Sequence, residues 1–279
     1  MTLDIKSESR LFGGTQRVYR FQSAACDCPM EFAAYLPPQA EEEPCPALFW
    51  LSGLTCTWEN FTVKAGAQRL ASELGLVIIA PDTSPRGEGV ADVEAWDFGK
   101  GAGFYLDATQ APWSAHYKME THVTEELPAV LSGKLPVDMS RIGVAGHSMG
   151  GHGALTLAMR HPELFVSLSA FAPIVAPSQV PWGQKAFQGY LGDDPAAWAE
   201  HDACVLARSR GWAGDILIDQ GTADTFLERE LKPHLFAQAC AEAGIGLTLR
   251  LQPGYDHSYN CMASFIDDHL LWHAERLGL

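Results

Sequence analysis

The chain has 279 residues, 47% hydrophobic and 19% charged, the balance of a globular enzyme with a large core. Sheets of this size are commonly undivided, so residues 1–279 are expected to form one domain. A formal net charge of −15 argues against nucleic acid and anionic membrane surfaces as partners, and says little about a small molecule in its own cleft.

Taken in order, residues 1–36 alternate polar and apolar positions, as in Gln16-Arg17-Val18-Tyr19-Arg20-Phe21, and read as antiparallel edge strands. The first residues lack the basic-then-apolar pattern of a secretory signal, and no apolar run approaches membrane-spanning length. Seven cysteines without paired spacing read as reduced thiols, so a cytoplasmic location is expected. A polar, Pro-rich loop precedes the apolar run 47–51, which predicts a strand covered on both faces. That strand empties into 52–57, a loop without hydrophobic periodicity. A helix is predicted over 63–74 and a second buried strand over 76–80.

The long segment 81–112 is rich in Gly, Asp and aromatics. Loops of such length are usually functional or disordered, and Trp96, Phe98, Phe104, Tyr105 and the following Trp113 favour a packed cleft wall. A helix is expected over 120–131 and strands over 141–145, 165–171, 216–219 and 247–251. Further helices fit 153–160, 226–243 and 261–276. Strands alternating with helices define an α/β fold: a mostly parallel central sheet with antiparallel N-terminal strands, helices on both faces, and function at the strands' carboxyl ends.

Gly146-His147-Ser148-Met149-Gly150 sits between the 141–145 strand and the following helix. Gly-x-Ser-x-Gly in a strand–turn–helix context is a nucleophile elbow, which sets a serine hydroxyl clear of the sheet on a strained turn. Gly146 and Gly150 lack the β-carbons that would collide there, and Gly151, Gly153 and Ala154 let the helix pack close. Ser148 is the predicted nucleophile, and the Met149 N–H at the helix start is a predicted oxyanion donor.

On this architecture an acid and then a histidine follow the serine in chain order. Asp224 lies just beyond the 216–220 strand and His257 just beyond the 247–251 strand. His257 is assigned the proton transfers, and Asp224 the fixing of its tautomer and charge. Asp219 falls inside a strand, Asp215 before one, and Asp256 adjoins His257, so all three are less well placed. His234, His269 and His273 fall on helical faces as solvated or packed residues, and His147 and His152 flank the nucleophile as packing or rim residues. No His, Cys, Asp or Glu spacing suggests a catalytic metal. The second oxyanion donor is expected after the 47–51 strand, with the Leu54 N–H the best candidate. Cys56, two residues further on, is expected to be an accessible thiol beside the site.

These stretches resemble the S-formylglutathione hydrolases, or esterase D family, of the α/β-hydrolase fold. The likeness is carried by Leu51-Ser52-Gly53-Leu54-Thr55-Cys56-Thr57, Ala80-Pro81-Asp82-Thr83-Ser84-Pro85-Arg86-Gly87, Gly103-Phe104-Tyr105-Leu106-Asp107-Ala108-Thr109, the elbow through Ala154, and Asp256-His257-Ser258-Tyr259. It implies hydrolysis of a glutathione thioester, S-formylglutathione, to formate and glutathione in formaldehyde detoxification, without a tightly bound cofactor. It also implies Ser148, Asp224 and His257 as triad, Leu54 and Met149 as oxyanion donors, and a possible homodimer. Glutathione is anionic, and Lys64, Arg86, Lys100, Lys118 and Lys185 are the candidate cations for it. The competing readings are a short-chain carboxylesterase or acyltransferase of a related scaffold, and a non-catalytic binding module that keeps the fold.

Overall fold

A computed structural model describes residues 2–279. Its strands are β1 (Asp4–Leu11), β2 (Gly14–Ser23), β3 (Cys28–Leu36), β4 (Cys45–Leu51), β5 (Val77–Pro81), β6 (Val137–His147), β7 (Ser167–Phe171), β8 (Ile216–Gly221) and β9 (Leu247–Gln252). All join one sheet in the order β1-β2-β3-β5-β4-β6-β7-β8-β9. The first three run antiparallel, β3 also pairs antiparallel with β5, and the pairs from β5 to β9 are parallel. The fold class read from the sequence is therefore the fold observed: an α/β-hydrolase sheet with helices on both faces.

Alternation along β4 shows why its sequence is apolar throughout. Phe49 and Leu51 face one core layer, while Leu48 and Trp50 face the other. β1 lies at the sheet's edge and is exposed along nearly its whole length. Its Asp4, Lys6, Glu8 and Arg10 discourage pairing with another chain. β6, which ends at the elbow, lies between β4 and β7, so the turn is supported from both sides.

Helix boundaries depart from the sequence reading where local chemistry overrides periodicity. The helix expected over 63–74 is two, Trp58–Lys64 and Gln68–Leu74. Thr57 starts the first through a capping box whose third residue is Asn60, and Gly66 breaks the path at φ 74°. The helix expected over 226–243 is also split. A π-turn, Leu227–Leu231, leads to Lys232 at φ 47°, and Pro233 opens the helix Pro233–Ala243. The elbow helix is Met149–Arg160, starting four residues earlier than expected because the turn closes on Ser148 itself. Helices Pro181–Leu191, Pro195–Ala199 and Ala203–Ser209 fill the crossover from β7 to β8. Asp194 and Asp202 cap the latter two by accepting backbone N–H groups. The C-terminal helix is Tyr259–Leu277. Among the described residues, no helix is long and apolar enough to cross a membrane.

Candidate active site

β6 delivers Ser148 at φ 58° and ψ −117°, a conformation that L-residues rarely adopt and that persists only where surroundings enforce it. Two glycines make the turn possible. A β-carbon on Gly150 would lie 1.9 Å from the Leu51 carbonyl oxygen, and one on Gly146 2.2 Å from that of Gly150. The Ser148 N–H donates to Phe171 O at 2.9 Å, and Ser148 O accepts from His152 N, fixing both sides of the elbow.

The loops after β8 and β9 are laced together. Thr222 N donates to Gln252 O, Ala223 N to Tyr255 O, and Gly254 N to the Thr222 hydroxyl. This brings Asp224 and His257 to Ser148. His257 Nδ1 meets Asp224 Oδ2 at 2.5 Å, and its Nε2 lies 3.0 Å from Ser148 Oγ. Asp224 Oδ1 accepts the Phe226 N–H at 2.8 Å, and Oδ2 accepts Gln220 Nε2–H at 3.2 Å. Asp256 turns away: its Oδ1 accepts both the N–H and the hydroxyl of Ser258, which caps the C-terminal helix. Gln220 is a site residue the sequence reading missed; its place at the end of β8, one helical-turn distance before Asp224, was the available signal.

The loop after β4 supplies the facing wall. Its course is fixed by Tyr105 Oη donating to Ser52 O, Thr55 N to Gly101 O, and Thr83 Oγ1 and Arg86 Nη2 to Cys56 O. Among the described residues, neither the Leu54 nor the Met149 N–H has a hydrogen-bond partner. Gly53 lets this loop approach the serine, since a β-carbon there would stand 3.2 Å from Ser148 Cβ. Cys56 is half-buried and lines the same cleft; burial pushes its thiol pKa up, and Lys64 pulls the other way.

The cleft encloses about 460 Å³ and is lined by both Ser148 and His257. One wall is an aromatic ladder from His257 through Phe226 (5.0 Å) and Trp182 (4.7 Å) to Trp96 (5.4 Å). Lys185 pairs with Asp97 and so ties the Trp96 segment to the helix bearing Trp182. Of the 96–113 aromatics expected in the wall, only Trp96 lines the cleft, where Trp182, also expected there, joins it; Phe98, Phe104, Tyr105 and Trp113 are core residues. Among the five candidate cations, only Lys64 lines it. Arg86 forms a double contact with Asp82 at 3.0 Å, Lys118 is committed to Ala108 O at 2.7 Å, and Lys185 to Asp97.

Of the other histidines weighed for the site, His234 is exposed on its helix and His147 lines the cleft. His147 is buried with its ring 4.5 Å from that of His257, and burial followed by its neighbour's charge holds its pKa well below normal. His152 donates to Phe104 O, and burial pushes its pKa down to about 3. His269 and His273, open between solvated and packed, are fully buried with Ser167, Ser169 and Asp219.

The sheet order, the strained serine on its elbow and the Ser–His–Asp chain define the α/β-hydrolase class. Residues 23–274 match the family described as putative esterase. The chain is 57% identical to the S-formylglutathione hydrolase of Paracoccus denitrificans over 272 residues, which covers 98% of this chain and 97% of that one. It is 53% identical to the S-formylglutathione hydrolase of Rattus norvegicus, with complete coverage of both. The structure of an S-formylglutathione hydrolase from Agrobacterium tumefaciens superimposes with a TM-score of 0.97 at 55% identity, covering 99% of this chain and all of that one. The chain belongs to the S-formylglutathione hydrolase family of esterases.

Proposed function

We infer that the protein hydrolyses S-formylglutathione to formate and glutathione, with Ser148, His257 and Asp224 as its triad. The observation that carries the reading is identity above half with S-formylglutathione hydrolases along nearly the whole chain, joined to a hydrogen-bonded Ser–His–Asp chain in a cleft. Ser148 Oγ attacks the formyl carbon as His257 Nε2 takes its proton. The oxyanion that forms faces the Leu54 and Met149 N–H groups. Collapse breaks the C–S bond, His257 returns the proton to the glutathione sulfur, and a formyl ester remains on Ser148. Water, deprotonated by His257, then attacks that ester, and the serine leaves with the same proton while formate departs. Asp224 holds the imidazole tautomer and stabilises its positive charge in both halves. A cytoplasmic setting, where glutathione keeps thiols reduced, suits seven unpaired cysteines.

The aromatic ladder forms one wall of the cleft, and on this reading short acyl groups are favoured. The test compares S-formylglutathione with p-nitrophenyl acetate, butyrate and octanoate. The thioester is expected to give the highest kcat/KM, with esters falling as the chain lengthens. A profile that rises toward octanoate, with the thioester a poor substrate, would assign the protein to the carboxylesterases instead.

A further inference from the structure

The chain carries 34 acidic side chains, yet none lines the active-site cleft, and one lysine does. Lys64 is exposed at the end of the helix Trp58–Lys64, and no carboxylate pairs with it among the described residues. Its Nζ is held 5.7 Å from the centroid of the Tyr259 ring, itself a cleft residue. Asn60 and Asn260 line the same cleft. The Asn60 carbonyl oxygen is used in capping, and its NH₂ group remains available as a donor.

We propose that Lys64 is the residue by which the cleft selects an anionic thiol portion: its ammonium takes a carboxylate of the glutathione moiety, with amide donors of Asn60 and Asn260 beside it. This rests on the functional reading above and adds how the substrate is recognised. A glutathione thioester carries two carboxylates and one ammonium, so it approaches a protein of net charge −15 against repulsion. A cleft emptied of carboxylates and given one unpaired lysine reverses that field where the substrate binds. The other cations named for this role are committed to Asp82, Ala108 O or Asp97, or stand outside the cleft. Lys64 is a binding residue remote from the scissile bond, so its contribution is uniform in ground and transition states and falls on KM.

The experiment measures kcat and KM for S-formylglutathione and for neutral p-nitrophenyl acetate in wild type, Lys64→Ala, Lys64→Glu and Lys64→Arg, at low and high ionic strength. Lys64→Ala is expected to raise KM for the thioester about tenfold with little change in kcat, the size of one lost charge-assisted hydrogen bond. Lys64→Glu raises it further, and Lys64→Arg restores it. The loss is confined to the charged substrate, and added salt raises the thioester KM in wild type but lowers it in Lys64→Ala, where only the repulsion of the acidic protein is left to screen. An unchanged thioester KM in Lys64→Ala, or a parallel loss on both substrates, overturns the assignment while leaving the hydrolase reading intact. A wild-type enzyme that does not prefer the thioester overturns the hydrolase reading and this assignment together.

Discussion

Asp224–His257–Ser148 and Asp219–His269–Ser169 use the same three residue types in the same order, one at the carboxyl edge of the sheet and one beneath it. In the second chain His269 Nε2 lies 3.0 Å from Asp219 Oδ2 and its Nδ1 lies 2.8 Å from Ser169 Oγ, so distance alone does not separate the two. Surroundings do. Ser169 sits in regular β7, fully buried, and His273 Nε2 also contacts its hydroxyl at 2.8 Å. Asp219 is paired with Arg250, whereas Asp224 receives only neutral donors besides His257. An imidazolium forming on His257 therefore meets a carboxylate whose charge is uncommitted, while the charge of Asp219 is already neutralised. On the proposed reading, the two chains are separated by access, by a free carboxylate charge and by unused oxyanion donors, more than by residue identity.

The strongest way to break that comparison is to cut both chains. Ser148→Ala and His257→Ala are each expected to lower kcat by about 10⁴ or more with the fold retained, and Asp224→Asn by a similar or smaller factor. Asp219→Asn is expected to keep most of kcat and instead to destabilise the fold by about 1–3 kcal/mol, since it weakens the hydrogen bonds of buried His269 and of Arg250, which keeps its second partner Asp268. Steady-state kinetics beside denaturant unfolding separates the effects. A dead Asp219→Asn with a near-normal Asp224→Asn would exchange the roles of the two chains.

Acid should expose the buried region next. Burial pushes His152 down to about 3 and His201 to about 4, so both stay neutral in the fold and take protons at ordinary histidine pKa once unfolded. The unfolded state then binds more protons, and stability falls as pH drops below about 6.5, by about 1.4 kcal/mol per pH unit for each such histidine until its folded pKa is reached. Carboxylates act lower. Burial alone would raise Glu120 and Asp219, yet hydrogen bonds from His161 and Arg160, and from His269 and Arg250, bring each to about 2. Their contribution is complete above about pH 5 and is lost progressively between there and pH 2. Unfolding midpoints that stay level from pH 7 to 5 would contradict the assignment of neutral buried histidines.

The sequence made the reactive chain legible because its parts obey local rules. Gly146 and Gly150 are dictated by close backbone approach, and Asp224 and His257 by chain order at strand ends. Asp219, His269 and His273 were not legible as a second chain, because their contacts join β7, β8, β9 and the C-terminal helix. The choice of Lys64 over Arg86 also required three dimensions: nothing local shows that Arg86 is braced on Asp82 and Cys56 O. The helix beginning at Trp58 escaped notice because Asn60 stands where a capping box usually has Glu or Gln.

Cys56 sharpens the comparison from the cleft side, where access decides reactivity. A maleimide on its sulfur would crowd the Leu54 N–H, and loss of one oxyanion donor typically lowers rate by about 10²–10³. Cys56→Ser is expected to keep substantial activity and to escape N-ethylmaleimide, which labels wild type fastest at mildly alkaline pH because the thiol pKa is raised. Peptide mapping by mass spectrometry checks the site. Equal inactivation of both proteins would point to another thiol, with Cys261 near the His257 loop the first to test, although it is buried. Full activity in wild type after complete Cys56 labelling would remove any role for the thiol.

The smallest effect compares the two amide donors. Gln220 Nε2 supports Asp224 in the reactive chain at 3.2 Å, and Gln252 Nε2 supports Asp219 in the buried one at 2.8 Å. Each is one hydrogen bond to a carboxylate that keeps other donors, so deleting either leaves no charge stranded. Gln220→Ala is expected to lower kcat about three- to tenfold with KM little changed, the range of one ordinary hydrogen bond, because Asp224 loses part of what fixes its angle to His257. Gln252→Ala should leave kcat at the wild-type level and appear only as a modest loss of stability. Gln220→Glu adds a like charge beside Asp224, favouring protonation within that pair and moving the acid limb of the kcat profile to higher pH. If Gln252→Ala lowered kcat as far as Gln220→Ala, the buried chain would be coupled to the reactive one, and the division drawn between them would fail.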